Sequence, residues 1–185
     1  MNYKDIQLAA ENLIMEYLKK CGGQFEPPIP VEAIADVYLG FTIDRIDLGS
    51  NVAGKLSLEE KIIQVNDSDI FERQNFTIAH ELGHIRLHTK NEQLIVKLPF
   101  AHDNKTIMCR KTDRAKVEME ANHFASNLLM PKICILAEHA KVCDRKNEEK
   151  IKILAVKFKT SKAAMRYRLE NLKLLVDENQ LALFK

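Results

Sequence analysis

What this chain of 185 residues lacks narrows what it can be. It lacks a strong charge of either sign: 28 Lys and Arg against 26 Asp and Glu leave a net +2, so bulk electrostatics gives no reason to expect nucleic acid as a partner. It lacks any apolar run approaching the ~20 residues that span a bilayer. The stretch from Met1 to Ile14 carries Lys4, Asp5 and Glu11 in place of an apolar signal core, so no membrane anchor and no cleaved leader is expected. The four cysteines, Cys21, Cys109, Cys134 and Cys143, are scattered without a CxxC pair. That spacing argues against a cysteine zinc knot and fits reduced thiols in a cytoplasm better than a disulfide framework. No internal repeat and no low-complexity linker interrupts the chain, whose length suits one domain with at most a small appendage. The 46% hydrophobic fraction is enough for an ordinary core.

What is present centres on Thr77-Ile78-Ala79-His80-Glu81-Leu82-Gly83-His84-Ile85-Arg86-Leu87-His88, which contains HExxH. On a helix, residues four apart project from one face a turn apart. His80 and His84 so placed can grip one Zn²⁺ through ring nitrogens at roughly 2.0–2.1 Å, and Glu81 beside them is free to act as general base. Apolar residues from Phe76 to Leu87 point in nearly every direction, the mark of a helix buried on most sides. Buried polar groups need partners, and a metal would supply them. Gly83 costs roughly 1 kcal/mol against Ala inside a helix. Its expected return is the close approach of another backbone.

Two histidines do not hold a metal by themselves. His88 continues the four-residue series, but eight positions are ~12 Å of helical rise from His80, too far to share one ion. His88 is therefore expected to be structural, or at most to line a cleft. The metzincin pattern would need a histidine at position 90, which is Lys90. A second helix from Glu118 to Pro131 is the better source. Val117, Ala121, Phe124, Ala125, Leu128 and Leu129 form its apolar stripe. At about 100° per residue, Glu118 and Asn122 fall along that stripe, whereas Glu120 is displaced to the other side. Glu118 is thus the candidate third ligand, and Asn122 a hydrogen-bonding support for a ligand histidine. Glu120 is expected to serve the helix dipole near the helix start and to leave the metal untouched.

The two motifs in this order, FTIAHELGHIRLH and EMEANHFASNLLMP, resemble the ImmA/IrrE group of zinc metallopeptidases, with the likeness clearest over residues 30–135. The resemblance implies a zincin-type core with His80, His84 and Glu118 as zinc ligands and a narrow protein substrate, a helix-turn-helix repressor of a mobile element or stress operon. It carries nothing over to the segment between the motifs.

The remaining chain fits an α+β architecture. A stripe from Ile6 to Leu18 predicts an amphipathic helix stopped at Gly22-Gly23. Pro27, Pro28 and Pro30 make Phe25 to Pro30 an extended connector. A short helix is expected over Val31 to Leu39 and a strand from Phe41. Ala53–Leu58 and Lys61–Val65 read as a hairpin about Glu59-Glu60, one that could pair with extended substrate or only cover the core. Asn66-Asp67-Ser68 offers caps for the HExxH helix. Residues 89–115 are a long connection with no clear period; Leu94, Ile95, Val96 and Leu98 suit a strand or lid, and His102, Asp103 and Cys109 are potential ligands. Beyond a helix opening at Pro131, the layout from Ile151 through Thr160-Ser161 to Leu172 fits either a helix-turn-helix with Lys162, Arg166 and Arg168 on its second helix or an αα-hairpin packed on the core.

The expected fold is a zincin-like core over 1–140, with a small, mostly antiparallel sheet, an HExxH helix and a second ligand helix, followed by a helical extension over 141–185. The expected function is that of a gluzincin-like zinc endopeptidase, with candidates His88, His102 and Tyr167 unranked for the oxyanion. The rival is a non-catalytic zinc-containing regulator that binds protein or DNA through its C-terminal helices; a toxin-like role is a third. The residues leave the oligomeric state open.

Overall fold

The computed structural model of the protein describes residues 1–88 and 111–175, without the side chains of 111–114. Helix α1 (Tyr3–Cys21) is capped by the Asn2 side chain, which accepts the Asp5 amide. The spaced apolar positions Ile6, Ala10, Leu13 and Ile14 are its buried face. Gly22, at a φ of 77°, ends it by turning its amide back to the Leu18 carbonyl at 2.8 Å. The expected helix after the prolines is only one turn, α2 (Val31–Ala33), which widens into a π-helical turn over Ile34–Tyr38. The wider turn is closed by the Leu39 amide on the Ile34 carbonyl and brings Ile34 and Ala35 fully inside.

Three strands follow: β1 (Thr42–Ile46), β2 (Gly54–Ser57) and β3 (Ile62–Asn66), in the order β1-β3-β2. The hairpin about Glu59-Glu60 is present: β2 runs antiparallel to β3, from Gly54 opposite Val65 to Ser57 opposite Ile62. The sheet is nevertheless mixed, not mostly antiparallel, because β1 pairs with β3 in parallel, Thr42 opposite Ile62. A tight turn dictates the direction of a hairpin. The direction of β1 is set by where the segment between β1 and β2 returns the chain, and alternation of side chains carries no information on that. Asn66 organises this return instead of capping a helix: its amide donates to the carbonyls of Gly49 and Val52 at 2.7 and 3.0 Å, and its Oδ1 accepts from Ser68.

Helix α3 (Phe71–His88) packs against β2 and β3, buried on most sides from Gln74 to His84. Helix α4 (Lys111–Leu129) packs along it. The contact is backbone-close: a Cβ on Gly83 would stand 3.2 Å from the Ala121 Cα, the Ala121 oxygen and the Phe124 Cβ. The glycine in the HExxH motif therefore serves helix–helix approach, as its cost suggested. Helix α4 starts at Lys111, within the stretch expected to be connection. The rest of that connection, with Leu94–Leu98, His102, Asp103 and Cys109, lies outside the described residues.

Helices α5 (Lys132–Ala140), α6 (Asn147–Phe158) and α7 (Lys162–Asn171) complete the chain. Ile151, Leu154, Phe158, Met165 and Leu169 join the same buried cluster as Ile6, Ile63, Leu82 and Leu128. Helices α6 and α7 thus form an αα-hairpin seated on the core. Of the basic residues on α7, Arg168 is buried and donates to the Met130 carbonyl at 3.0 Å, and Arg166 pairs with Glu148. Among the described residues, no helix is long and apolar enough to cross a membrane.

Candidate metal centre

The tight α3–α4 seam places three side chains at one point. His80 Nε2 and His84 Nε2 are 2.9 Å apart. Glu118, reaching over from α4, brings Oε2 to 3.3 Å from His80 Nε2 and Oε1 to 3.8 Å from His84 Nε2. One ligand atom from each of the three lies within 4.8 Å of the others. Ligand atoms at ~2.0–2.1 Å around a tetrahedral ion are about 3.3 Å apart, and the observed separations bracket that value. Asn122, one turn beyond Glu118, holds the back of His80, with Oδ1 3.0 Å from Nδ1. If His80 keeps its Nδ1 proton for Asn122, its Nε2 lone pair faces the second imidazole and the carboxylate. Such a convergence of electron pairs calls for a cation.

The electrostatics agree with that donor set. Burial, aided by the neighbouring His80, pushes the pKa of His84 down to about 3, so its ring is neutral and able to donate a lone pair. Burial also opposes charge on His80, but the hydrogen bond that the protonated ring donates to Glu118 and the charges of Glu81 and Glu118 outweigh it and hold its pKa above the ordinary value. In other words, the acidic cluster attracts a proton to the place where a metal would sit.

Glu81 adjoins His80 on α3, close enough for the charges of His80 and Glu118 to act on it. It is buried, and its Oε2 has no hydrogen-bond partner among the described residues. Burial raises its pKa to about 7, with His80 opposing and Glu118 reinforcing the shift. A buried carboxylate with an idle oxygen and a pKa near neutrality is suited to proton transfer. Its neighbour from the sheet is Gly54, at the start of edge strand β2. A Cβ on Gly54 would stand 2.3 Å from Thr77 Cγ2, 2.9 Å from the Gln64 oxygen and 3.6 Å from Glu81 Oε1. The identity of this contact between β2 and the HExxH helix was not visible in the sequence, since a lone glycine within a strand signals a bulge or close approach without saying to what.

His88 is structural in the sense expected but better connected. Its Nδ1 is 3.2 Å from His84 Nδ1, and its Nε2 is 3.2 Å from Glu120 Oε2. Glu120 Oε1 also meets the Met1 ammonium at 2.5 Å. The expectation for Glu120 is thereby corrected. Helix α4 begins at Lys111, so position 120 is far from the first turn and the helix dipole does not explain it. Glu120 is buried, and its partners are His88 and the Met1 ammonium. Tyr167, by contrast, is an exposed residue of α7.

Comparison with known proteins bears on this geometry. A family model described as the IrrE N-terminal-like domain, Peptidase_M78, matches residues 37–170. Among solved structures, a Mycobacterium tuberculosis transcriptional regulator is similar with a TM-score of 0.63 at 16% identity, over 90% of this chain and 46% of that one. That is a likeness of fold, and this chain spans less than half of the regulator's length. No curated protein matches.

Proposed function

Because the chain belongs to the Peptidase_M78 family of IrrE N-terminal-like domains, a metallopeptidase family, we propose that it is a zinc-dependent endopeptidase of the gluzincin type. The observation that carries this reading is the convergence of His80, His84 and Glu118 beside a buried Glu81 with an idle oxygen. Two imidazoles and a carboxylate are a donor set for zinc with one position left open. Zn²⁺ bound there would supply Lewis acidity toward a peptide carbonyl and a water. Glu81 Oε2 takes the proton of the attacking water and returns it to the departing amine. Asn122 holds His80 in the orientation that presents Nε2. An extended peptide could align with the outer edge of β2, which pairs with no further strand among the described residues and whose first residue abuts Glu81.

The substrate in this reading is a specific protein, a helix-turn-helix repressor of a mobile element or stress operon, met in the cytoplasm. The peptidase unit is residues 1–140, followed by an extension over 141–185 whose helices α6 and α7 pack on the core. A second reading is favoured by the fold shared with a transcriptional regulator: a protein that keeps the metal site but acts by binding. One experiment separates them. Zinc-loaded protein and its Glu81→Gln variant are incubated with the repressor encoded beside its gene, and with casein, and the products read by intact mass. One or a few cuts in the repressor, lost in the variant, support the peptidase. Tight repressor binding without a cut supports the regulator, and many zinc-dependent cuts in casein would sink the narrow specificity.

A further inference from the structure

The three histidines of α3 do not act alike, and their ring nitrogens say why. His84 presents Nε2 toward His80 and Glu118 and Nδ1 toward His88. A neutral imidazole carries one proton. If Nε2 is the ligand atom, the proton of His84 resides on Nδ1 and is donated to His88 Nδ1 across 3.2 Å. His88 must then accept at Nδ1, which leaves its own proton on Nε2, aimed at Glu120 Oε2 at 3.2 Å. Each link dictates the next. His88 and Glu120 are both buried, with 6% and 7% of their surface exposed, so water does not compete for either bond.

Resting on the zinc reading above, we infer that Glu120 and His88 are positioning residues for the metal: a carboxylate–histidine pair that selects the Nδ1–H tautomer of His84 and orients its Nε2. Supporting carboxylates usually contact a ligand histidine directly. Here the support is one residue longer, because His88 stands between Glu120 and His84. His80 is supported separately, by the neutral amide oxygen of Asn122. The two ligand histidines therefore differ in backing. His84 is backed through His88 by Glu120, a carboxylate also paired with the Met1 ammonium, and His80 is backed by an amide dipole.

The test uses the full-length protein, with Zn²⁺ affinity measured by competition with a chromophoric chelator. His88→Ala and Glu120→Ala should each weaken zinc by about 10- to 100-fold, the range for residues that support a ligand. Glu120→Gln keeps an acceptor oxygen for His88 Nε2–H and should recover part of that loss. In ¹⁵N-labelled, zinc-loaded protein, histidine ring correlations should show His84 protonated at Nδ1 and His88 at Nε2. Both should persist in Glu120→Gln, and the His88 preference should be lost in Glu120→Ala. Ring spectra of the metal-free protein provide a second measurement should an alanine variant fold poorly. Wild-type affinity retained within twofold in both alanine variants, or a proton on His88 Nδ1, would overturn the inference and leave the zinc site standing. Failure of the wild type itself to bind zinc would instead remove the reading beneath it.

Discussion

Glu118 and Glu120 are two residues apart on one helix and inhabit different chemistry. Glu118 is 37% exposed at its side chain and faces the Nε2 atoms of His80 and His84. Glu120 is 10% exposed and faces His88. The difference follows from helix phase on both sides of the seam. Two residues on α4 are about 200° apart around the axis. Eight residues on α3 overshoot two full turns by about 80°, which carries His88 out of line with His80 and toward the side of Glu120. One helix pair thereby builds an open end, where donor atoms converge without saturating one another, and a closed end, where every polar atom named has a partner. Identical residue types become ligand or support according to which end they occupy.

Glu81 belongs to the open end, and changing it gives the sharpest contrast. Glu81→Gln should keep stoichiometric zinc and lower cleavage of the specific substrate by at least the 10²–10⁴-fold typical of a general base. Cleavage retained within tenfold would break the assignment. Removing donor atoms should act on the metal instead. His80→Ala and Glu118→Gln should each reduce zinc affinity by more than about 100-fold, beyond the range for supporting residues, and Asn122→Ala should stay within it. Equal losses in Glu118→Gln and Asn122→Ala, measured by chelator competition, would erase the distinction between ligand and support.

The pH dependence of the metal-free protein probes the same open end. The folded pKa of Glu81 lies above its ordinary value, at about 7. The folded state therefore favours the protonated group, and this contribution to stability is present at low pH and is lost as pH rises from about 4.5 through 7. At one unit per 1.36 kcal/mol the loss is up to about 3 kcal/mol. Metal-free Glu81→Gln should accordingly be more stable than wild type at pH 8 and nearly equal to it at pH 4, by thermal denaturation. An identical difference at both pH values would show that Glu81 is not desolvated as described. The seam that joins the two ends is tested by Gly83→Ala. The added Cβ stands 3.2 Å from the Ala121 backbone and the Phe124 Cβ, so α4 must shift; overpacking of this kind costs about 1–3 kcal/mol. Zinc affinity should fall with stability, because Glu118 rides on α4. A more stable variant with unchanged affinity would mean that the approach of the two helices does not position the ligand.

Some of this molecule was settled within single stretches of sequence. The spacing of His80 and His84 put them on one face because helical periodicity is local, and the stripe along α1 and the hairpin about Glu59-Glu60 were legible for the same reason. The phase of Glu118, in line with Ala125 and Leu129, set it along the apolar stripe, and the glycine at position 83 announced a close approach without saying to what. Only the tertiary structure decided the rest. His88 meets Glu120 across 32 positions and His80 meets Asn122 across 42, β1 joins β3 in parallel, and Gly54 lies against Glu81 and Thr77. Periodicity states which face of an element is apolar or polar, but the identity of the element that covers it is set by packing between distant parts of the chain. A place in the first turn would account for Glu120 through the helix dipole, but α4 runs from Lys111, and the buried partner of Glu120 on another helix leaves no mark in the residues around it.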